Sequence, residues 1–372
     1  MTRALVTGGT GFVGSNIALY LVERHWDVRI LARPGSSREM LEGGPFDFVS
    51  GDVLEPETLL PAMLGIDVIF HVAGVVDYWK QGVERMYQVN VDGTRNVMEA
   101  ALKSRIERVV HTSSTAAMGI HPNEIVDESY TFNVKPEQFV YGHSKYLAED
   151  IAFEYVKKGL PVVIVNPTTA IGPRDARKVS SGMVVEVVKH RVPPLIPPGG
   201  INMVPVCDAA QGTIDAAVKG HVGERYILGG ENITLLKLYQ TITNVVGCGM
   251  KLKVMPRWQV PFIAGLADML QTQTSGPVPL TGDRIRLESK CFYYNTTKAR
   301  STFDMPKTPL HITIGRTYEW FYMMGEFEGI HEALEEDGVC KYCKRIRYCE
   351  WPPPVTRKTQ GVKVNDIGGY DD

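Results

Sequence analysis

The chain has 372 residues, 44% of them apolar and 22% charged, with a formal net charge of −2. This suits one large or two intimate soluble domains, and gives no reason to expect nucleic acid or an acidic membrane as partner. A signal peptide and a membrane span are not expected: the N-terminal apolar run stops at glycines, and the longest later candidate, Val260 to Leu270, falls short of about 20 apolar residues and holds Pro261 and Asp268. Six cysteines make no disulfide scaffold, and Cys207, Cys248 and Cys291 read as small core residues of a cytoplasmic protein.

Ala4 to Thr7 reads as a buried strand. The glycine turn Thr7-Gly8-Gly9-Thr10-Gly11-Phe12-Val13-Gly14 follows it, and Phe12 to Arg24 reads as a helix. Further strands are expected at Asp27 to Ala32, Phe46 to Ser50, Asp67 to Val72, Glu107 to Thr112 and Pro161 to Asn166. Helices are expected between them at Glu57 to Leu64, Val83 to Ser104 and Tyr141 to Lys158. Strands separated by helices imply right-handed crossovers, hence an α/β fold with a Rossmann-type, doubly wound parallel sheet over residues 1–166. After Asn166 prolines cluster and the pattern turns irregular. Residues 167–326 are expected to form mostly a smaller α+β substrate lobe, with helices at Thr234 to Val246 and Pro309 to Met324. One strand near 224–230, Arg225 to Leu228, is expected to return to the main sheet. A cysteine-containing extension (327–355) and a disordered tail (356–372) complete the expected layout.

Glycines at 8, 11 and 14 let the backbone turn sharply, approach a pyrophosphate and pack the helix on the strand. Phe12, Val13 and Gly14 open that helix, whose N–H groups face the anion. Arg33 ends the second strand where an NAD-binding protein usually places an acidic residue on the ribose hydroxyls. An Arg there suits the 2′-phosphate of NADP(H), which is favoured over NAD(H); Ser36, Ser37 and Arg38 add donors. Asp52, followed by Val53, is a candidate acceptor for the adenine amino group or an ordinary turn residue. His71-Val72-Ala73-Gly74 ends the fourth strand with small residues that let the backbone pass close to the cofactor. Asn90 is polar where its helix is apolar, and is expected to pin a neighbouring strand.

Ser113 and Ser114 close the fifth strand at the carboxyl edge, and Tyr141-Gly142-His143-Ser144-Lys145 opens the next helix. Tyr141 and Lys145, four apart, share a helical face. A free Tyr, with a pKa near ~10, is a poor acid or base at neutral pH. A nearby ammonium stabilises the phenolate and lowers that pKa. The tuned Tyr then exchanges a proton with a substrate oxygen while hydride moves at carbon, and Ser114 holds the same oxygen.

The segments TGGTGFVG, HVAG, TSST and YGHSK, in this order and spacing, resemble the extended short-chain dehydrogenase/reductases. That superfamily includes NAD-dependent epimerases and dehydratases, dihydroflavonol reductases and 3β-hydroxysteroid dehydrogenases. The resemblance covers roughly residues 1 to 325. It implies Tyr141 as acid/base beside Lys145 and Ser114, and cofactor contacts that also include Val53, Val72, Ala73, Gly74, Thr112 and Pro167. Within the superfamily, the stretches from Ile164 to Asp175 and from Gly223 to Asn232 are similar to the bacterial hopanoid-associated sugar epimerases, often labelled dihydroflavonol-reductase-like. Asn166 matches a position where sugar-nucleotide epimerases contact the diphosphate. Met203 to Asp208 occupies a place where they tend to carry an Arg and a His. The main expectation is an NAD(P)(H)-dependent oxidoreductase acting on a C=O or CH–OH group. The alternatives are an NDP-sugar epimerase or dehydratase, and a non-enzymatic NADP(H)-binding subunit. A homodimer through Val83–Ser104 and Tyr141–Lys158 is a further implication.

Candidate substrate-wall residues are Asp77, Tyr78 and Trp79 in one loop, Met118, His121 and Phe132, and Thr168, Thr169 and Ile171 opposite. Their apolar bias favours a ring or terpenoid-like substrate over a sugar. Near the C-terminus, Cys340, Cys343 and Cys349 form C-x2-C-x5-C in a basic stretch. Zinc with His331 as a further ligand, an iron–sulfur site and plain thiols all stay open.

Overall fold

The computed structural model describes residues 2–76, 82–273 and 281–327. In chain order the first half comprises β1 (Arg3–Thr7), α1 (Phe12–Glu23), β2 (Asp27–Ala32), β3 (Phe46–Ser50), α2 (Pro56–Ala62), β4 (Val68–His71), α3 (Val83–Tyr87), α4 (Gly93–Lys103), β5 (Arg108–Thr112), β6 (Ile125–Val126), α5 (Val140–Lys157) and β7 (Val162–Pro167). The second half comprises β8 (Thr169–Ile171), α6 (Gly182–Val188), β9 (Leu195–Ile196), β10 (Gly200–Pro205), α7 (Val206–Lys219), β11 (Arg225–Leu228), β12 (Glu231–Thr234), α8 (Leu235–Val246), β13 (Lys253–Val254), α9 (Val260–Gln273), α10 (Gly282–Glu288), β14 (Cys291–Tyr294), α11 (Thr297–Thr302) and α12 (Leu310–Met323).

Seven parallel strands form the main sheet in the order β11-β7-β5-β4-β1-β2-β3. The order reverses beside β1, so a crevice opens there at the carboxyl ends of the strands. Near-continuous apolar strands follow from helices on both faces. Val6, Phe70 and Val110 pack toward Ile17 and Leu21 of α1 and Ile214 of α7. Leu5, Ile69 and Val109 pack toward Val97 and Met98 of α4 and Ile151 and Ala152 of α5. Arg225–Leu228 adds the outermost strand, in parallel register with Ile164–Pro167.

A second sheet, β12-β10-β14-β6 with β8 also on β10, is assembled from both sides of residue 166. Its two-residue strand Ile125–Val126 pairs with Tyr293 and Tyr294. Beneath the sheet, α6, α8 and α12 share an apolar core built on Val184, Leu238, Ile242, Ile314 and Phe321.

The helix expected over Val83 to Ser104 is not uniform. Gln88–Asp92 forms a π turn between α3 and α4. Asn90, whose side chain is spent on tertiary bonds described below, lies at its centre. Single π turns of this kind are frequent at functional sites.

Candidate active site

The glycine loop joins β1 to α1. Gly8 has φ +70°, a backbone state that L side chains rarely adopt, and a Cβ there would stand 2.6 Å from the Ala73 nitrogen. A Cβ on Gly14 would overlap the Gly8 carbonyl. The loop is therefore pressed against Val72–Gly74 on one side and the start of α1 on the other. Gly11 caps α1 without any side-chain hydrogen bond, leaving the first-turn N–H groups for an anion. Phe12 packs on Ala170, Val204 and Ala209 of the lobe, and Val13 on the main core. These residues fit a dinucleotide pyrophosphate.

A polar rung crosses three neighbouring strands under this loop. Thr7, His71 and His111 are register partners on β1, β4 and β5. The Thr7 hydroxyl lies 2.8 Å from His71 Nδ1 and accepts from the Val72 and Ala73 amides at 3.2 Å each. His71 Nε2 lies 3.0 Å from the Thr94 hydroxyl, which itself donates to the Asn90 carbonyl. Thr94 has spent its hydrogen, so Nε2 carries the ring proton and Nδ1 accepts from Thr7. The His111 ring lies 5.3 Å from that of His71, tilted by 30°, and neither of its ring nitrogens has a partner among the described residues. Burial, with Lys145 nearby, pulls His71 down to about 3 and His111 well below the usual imidazole range. Both rings are neutral in the folded protein. Polar residues ending apolar strands were the signal that marks this rung in the sequence.

Asn90 pins the segment after β4, as expected. Its amide oxygen accepts from Val75 N at 2.8 Å, and its nitrogen donates to Val75 O at 3.0 Å and Ser144 Oγ at 2.9 Å. A Cβ on Gly74 would meet Asn90 Oδ1 at 3.2 Å and lie 3.6 Å from Lys145 Nζ.

Helix α5 brings the remaining groups together. Tyr141, Lys145 and Glu149 recur on its buried face. Lys145 is 4% exposed and donates to the Thr112 carbonyl at 2.9 Å. Burial lowers its pKa to about 8, opposed by Glu149, so it is an ammonium at neutral pH. Ser114 begins the 115–118 turn, where its hydroxyl accepts from the Ala116 amide at 3.2 Å. The close approach of that turn to α5 depends on Gly142: a Cβ there would stand 2.6 Å from the Ala116 carbonyl oxygen. Ser113 Oγ and Thr112 Oγ1 are buried with no partner among the described residues.

Asn166 lies inside the fold, not on an open wall. It is 0% exposed and donates to the Ser114 carbonyl at 2.9 Å and to Glu149 at 2.5 Å. Glu149 in turn pairs with Arg225 at 3.0 Å, and Arg225 also donates to the carbonyls of Glu128 and Tyr130. This network ties the Ser114 turn to β7, α5 and β11; Glu149 and Arg225 carried no signal in sequence beyond being charges in apolar surroundings.

Other expected residues take varied places. Arg33 is exposed just beyond β2, while the Arg38 guanidinium stacks 4.3 Å over Phe48. Asp52 serves its own turn, accepting from the Leu54 amide at 3.0 Å, with Arg85 at 3.7 Å. Val53 is buried under Gly93. Pro167 ends β7 and Thr169 is exposed at the start of β8. Met118 and Ile171 are core residues rather than lining ones, because their strands and turns pack into the lobe. His121 bridges the carbonyls of Met118 and Thr131, and Phe132 stacks on Phe139 and Tyr146. Tyr78 and Trp79, with Asp77, lie outside the described residues, as do His331, Cys340, Cys343 and Cys349. Among the described residues no group of His, Cys, Asp and Glu is placed to hold a metal ion, and no helix is long and apolar enough to cross a membrane.

Residues 4–208 match the NAD dependent epimerase/dehydratase family. A Synechocystis sp. protein named provisionally as dihydroflavonol 4-reductase is 33% identical over 325 residues, covering 86% of this chain and 94% of that protein. Sterol demethylase protein B of Methylococcus capsulatus is 32% identical over 268 residues, covering 72% of this chain and 81% of that protein. Among solved structures, gox2253 superposes with a TM-score of 0.75 at 33% identity, covering 88% of this chain and 99% of its own. The dTDP-glucose 4,6-dehydratase DesIV of Streptomyces venezuelae, solved with NAD, shares the fold at a TM-score of 0.71 and 21% identity, covering 88% of this chain and all of its own. With the glycine cradle, the Tyr141–Lys145 helix and these matches together, the chain belongs to the NAD dependent epimerase/dehydratase family of extended short-chain dehydrogenase/reductases, and is an enzyme of oxidoreductase or epimerase type.

Proposed function

We propose that the protein is an NADP(H)-dependent oxidoreductase that interconverts a carbonyl and an alcohol on an apolar, ring-containing substrate. The observation that carries this reading is Lys145: a buried ammonium one helical turn from Tyr141, on the helix packed against the Ser114 turn. A nicotinamide dinucleotide held by the Gly8–Gly14 loop would, when bound, supply or take hydride at the substrate carbon. Ser114 donates a hydrogen bond to the substrate oxygen and fixes its position. In reduction, Tyr141 passes its phenolic proton to that oxygen as its charge develops. The Lys145 ammonium holds the resulting phenolate, which is re-protonated from solvent. The Thr112 carbonyl aims Lys145 by accepting a hydrogen bond from its ammonium.

NADP(H) is favoured because Arg33 stands exposed beyond β2, free to meet a 2′-phosphate. Reduction with net cofactor turnover is favoured over sugar epimerisation because the Asn166 side chain is buried and its amide nitrogen, the group that would donate to a diphosphate, is committed to Glu149 and the Ser114 carbonyl. The reductase and demethylase names of the relatives support the same direction. The test is a panel of carbonyl compounds and UDP-sugars with stoichiometric NADPH. Carbonyl-dependent oxidation of NADPH is expected, and Tyr141→Phe should bind NADPH normally and turn over at least ~100-fold more slowly. Near-wild-type turnover by that variant would end the assignment of Tyr141.

A further inference from the structure

The run Val260–Leu270 is too short to span a membrane, yet it is not a core helix either. Trp258 sits in the turn just before α9, and Phe262 and Leu266 lie four apart on one face of that helix. They are 69%, 74% and 53% exposed, while Ala264, Ala267 and Ile263 face α10 on the other side. Val254 on β13 adds to the exposed row. Natural surfaces rarely line up large apolar side chains this way without an occupant.

Charge identifies the occupant. The whole chain is net −2, but residues 250–290 hold six Lys or Arg against three Asp or Glu, a local net of +3. The three acids are already paired: Asp268 and Asp283 with Arg286, and Glu288 with Arg284. Lys251, Lys253 and Arg257, on the strand and turn that lead into Trp258, are exposed and have no ion-pair partner among the described residues. An apolar ridge with unpaired cations along its approach is the pattern of a helix lying in the headgroup layer of an anionic bilayer. A second copy of the chain fits less well. Pairing this face with itself would gather like charges, and the three ridge side chains expose roughly 400 Å², about half of the ~800 Å² per partner that a stable interface buries.

We propose that the Trp258–Leu266 face is a peripheral docking surface for anionic lipid bilayers, which the net charge of the whole chain conceals. It stands independently of the reaction assigned above.

The test is co-sedimentation of the full chain with sucrose-loaded vesicles of equimolar phosphatidylglycerol and phosphatidylcholine, and with phosphatidylcholine alone. Binding to the anionic vesicles is expected, at least ~10-fold tighter than to neutral ones and weakened by salt. Trp258→Ser/Phe262→Ser should lose at least ~10-fold in partitioning, the scale of two buried aromatic side chains. Lys253→Glu/Arg257→Glu leaves the ridge untouched, and should lose a comparable factor on anionic vesicles alone; it decides the matter if the serine variant does not fold. Absence of wild-type binding to anionic vesicles overturns the proposal. So does unchanged partitioning of the variants, or a serine variant that converts a dimer to a monomer while vesicles bind neither form.

Discussion

Acid stability is where the buried rung makes its most direct prediction. In the folded protein Thr7 donates to His71 Nδ1, and both remaining acceptor positions of the Thr7 hydroxyl are filled by the Val72 and Ala73 amides. A proton on Nδ1 would face a donor with nothing to accept it, deep under the glycine loop. The folded state therefore refuses the proton down to about pH 3, whereas an unfolded His takes it near 6.5. Because the folded pKa lies below the unfolded one, the stabilisation is full above pH 6.5 and is lost as pH falls toward 3. The slope is about 1.4 kcal/mol per pH unit, or ~2.5 kcal/mol between pH 6 and pH 4. His71→Gln keeps a polar side chain but cannot titrate. At pH 7.5 it should be ~1–3 kcal/mol less stable than wild type, the cost of imperfectly satisfied buried groups. Urea unfolding at pH 7.5, 6, 5 and 4 should then show the difference moving by ~2.5 kcal/mol in the variant's favour from pH 6 to 4, which closes the gap and reverses its sign. The carboxylates titrate in both proteins and cancel in the difference, and His111, which His71 also holds down, stays buried and neutral over most of this range in both. Parallel curves for the two proteins would refute the reasoning.

Three further outcomes follow from single contacts. Arg225→Leu strands the Glu149 carboxylate in the interior and should cost ~3–5 kcal/mol in urea unfolding, with Arg225→Leu/Glu149→Leu recovering much of it. Gly142→Ala drives a Cβ toward the Ala116 carbonyl; it should cost ~1–3 kcal/mol of stability, and steady-state assays should show turnover falling while NADPH titration is little changed. Arg33→Asp should move the ratio of NADPH to NADH affinity at least ~10-fold toward NADH, since it removes a cation and restores the acidic ribose acceptor.

The parts of the site that rest on short spacings were legible in the chain. Gly8, Gly11 and Gly14 are diagnostic because a strand precedes them and a helix follows, and Tyr141 and Lys145 because four residues make one turn. Alternating apolar strands and helices likewise foretold the parallel sheet and the return of Arg225–Leu228. What was hidden depends on partners far away in sequence. The π turn at Gln88–Asp92 coincides with bonds from Asn90 to Val75 and Ser144, which helical periodicity cannot register. Ile125–Val126 is a strand only because Tyr293 and Tyr294 lie beside it. Asn166 sits at a matching motif position, but its direction is set by Glu149, a residue whose role depends on Arg225. Total hydrophobicity marks the Val260–Leu270 run only as too short for a membrane span, whereas its meaning lies in which face α10 leaves uncovered.

The reaction proposed for this site is a hydride transfer with net consumption of cofactor, completed by Tyr141. It is tested most directly with NADPH carrying deuterium at the transferable C4 position, incubated with an apolar cyclic ketone that the wild-type protein turns over. Mass spectrometry of the product should find one deuterium on the carbinol carbon for each NADPH oxidised, and none formed by Tyr141→Phe above ~1% of the wild-type rate. Isomerisation of a sugar nucleotide without net NADPH oxidation, in the absence of any ketone reduction, would contradict it.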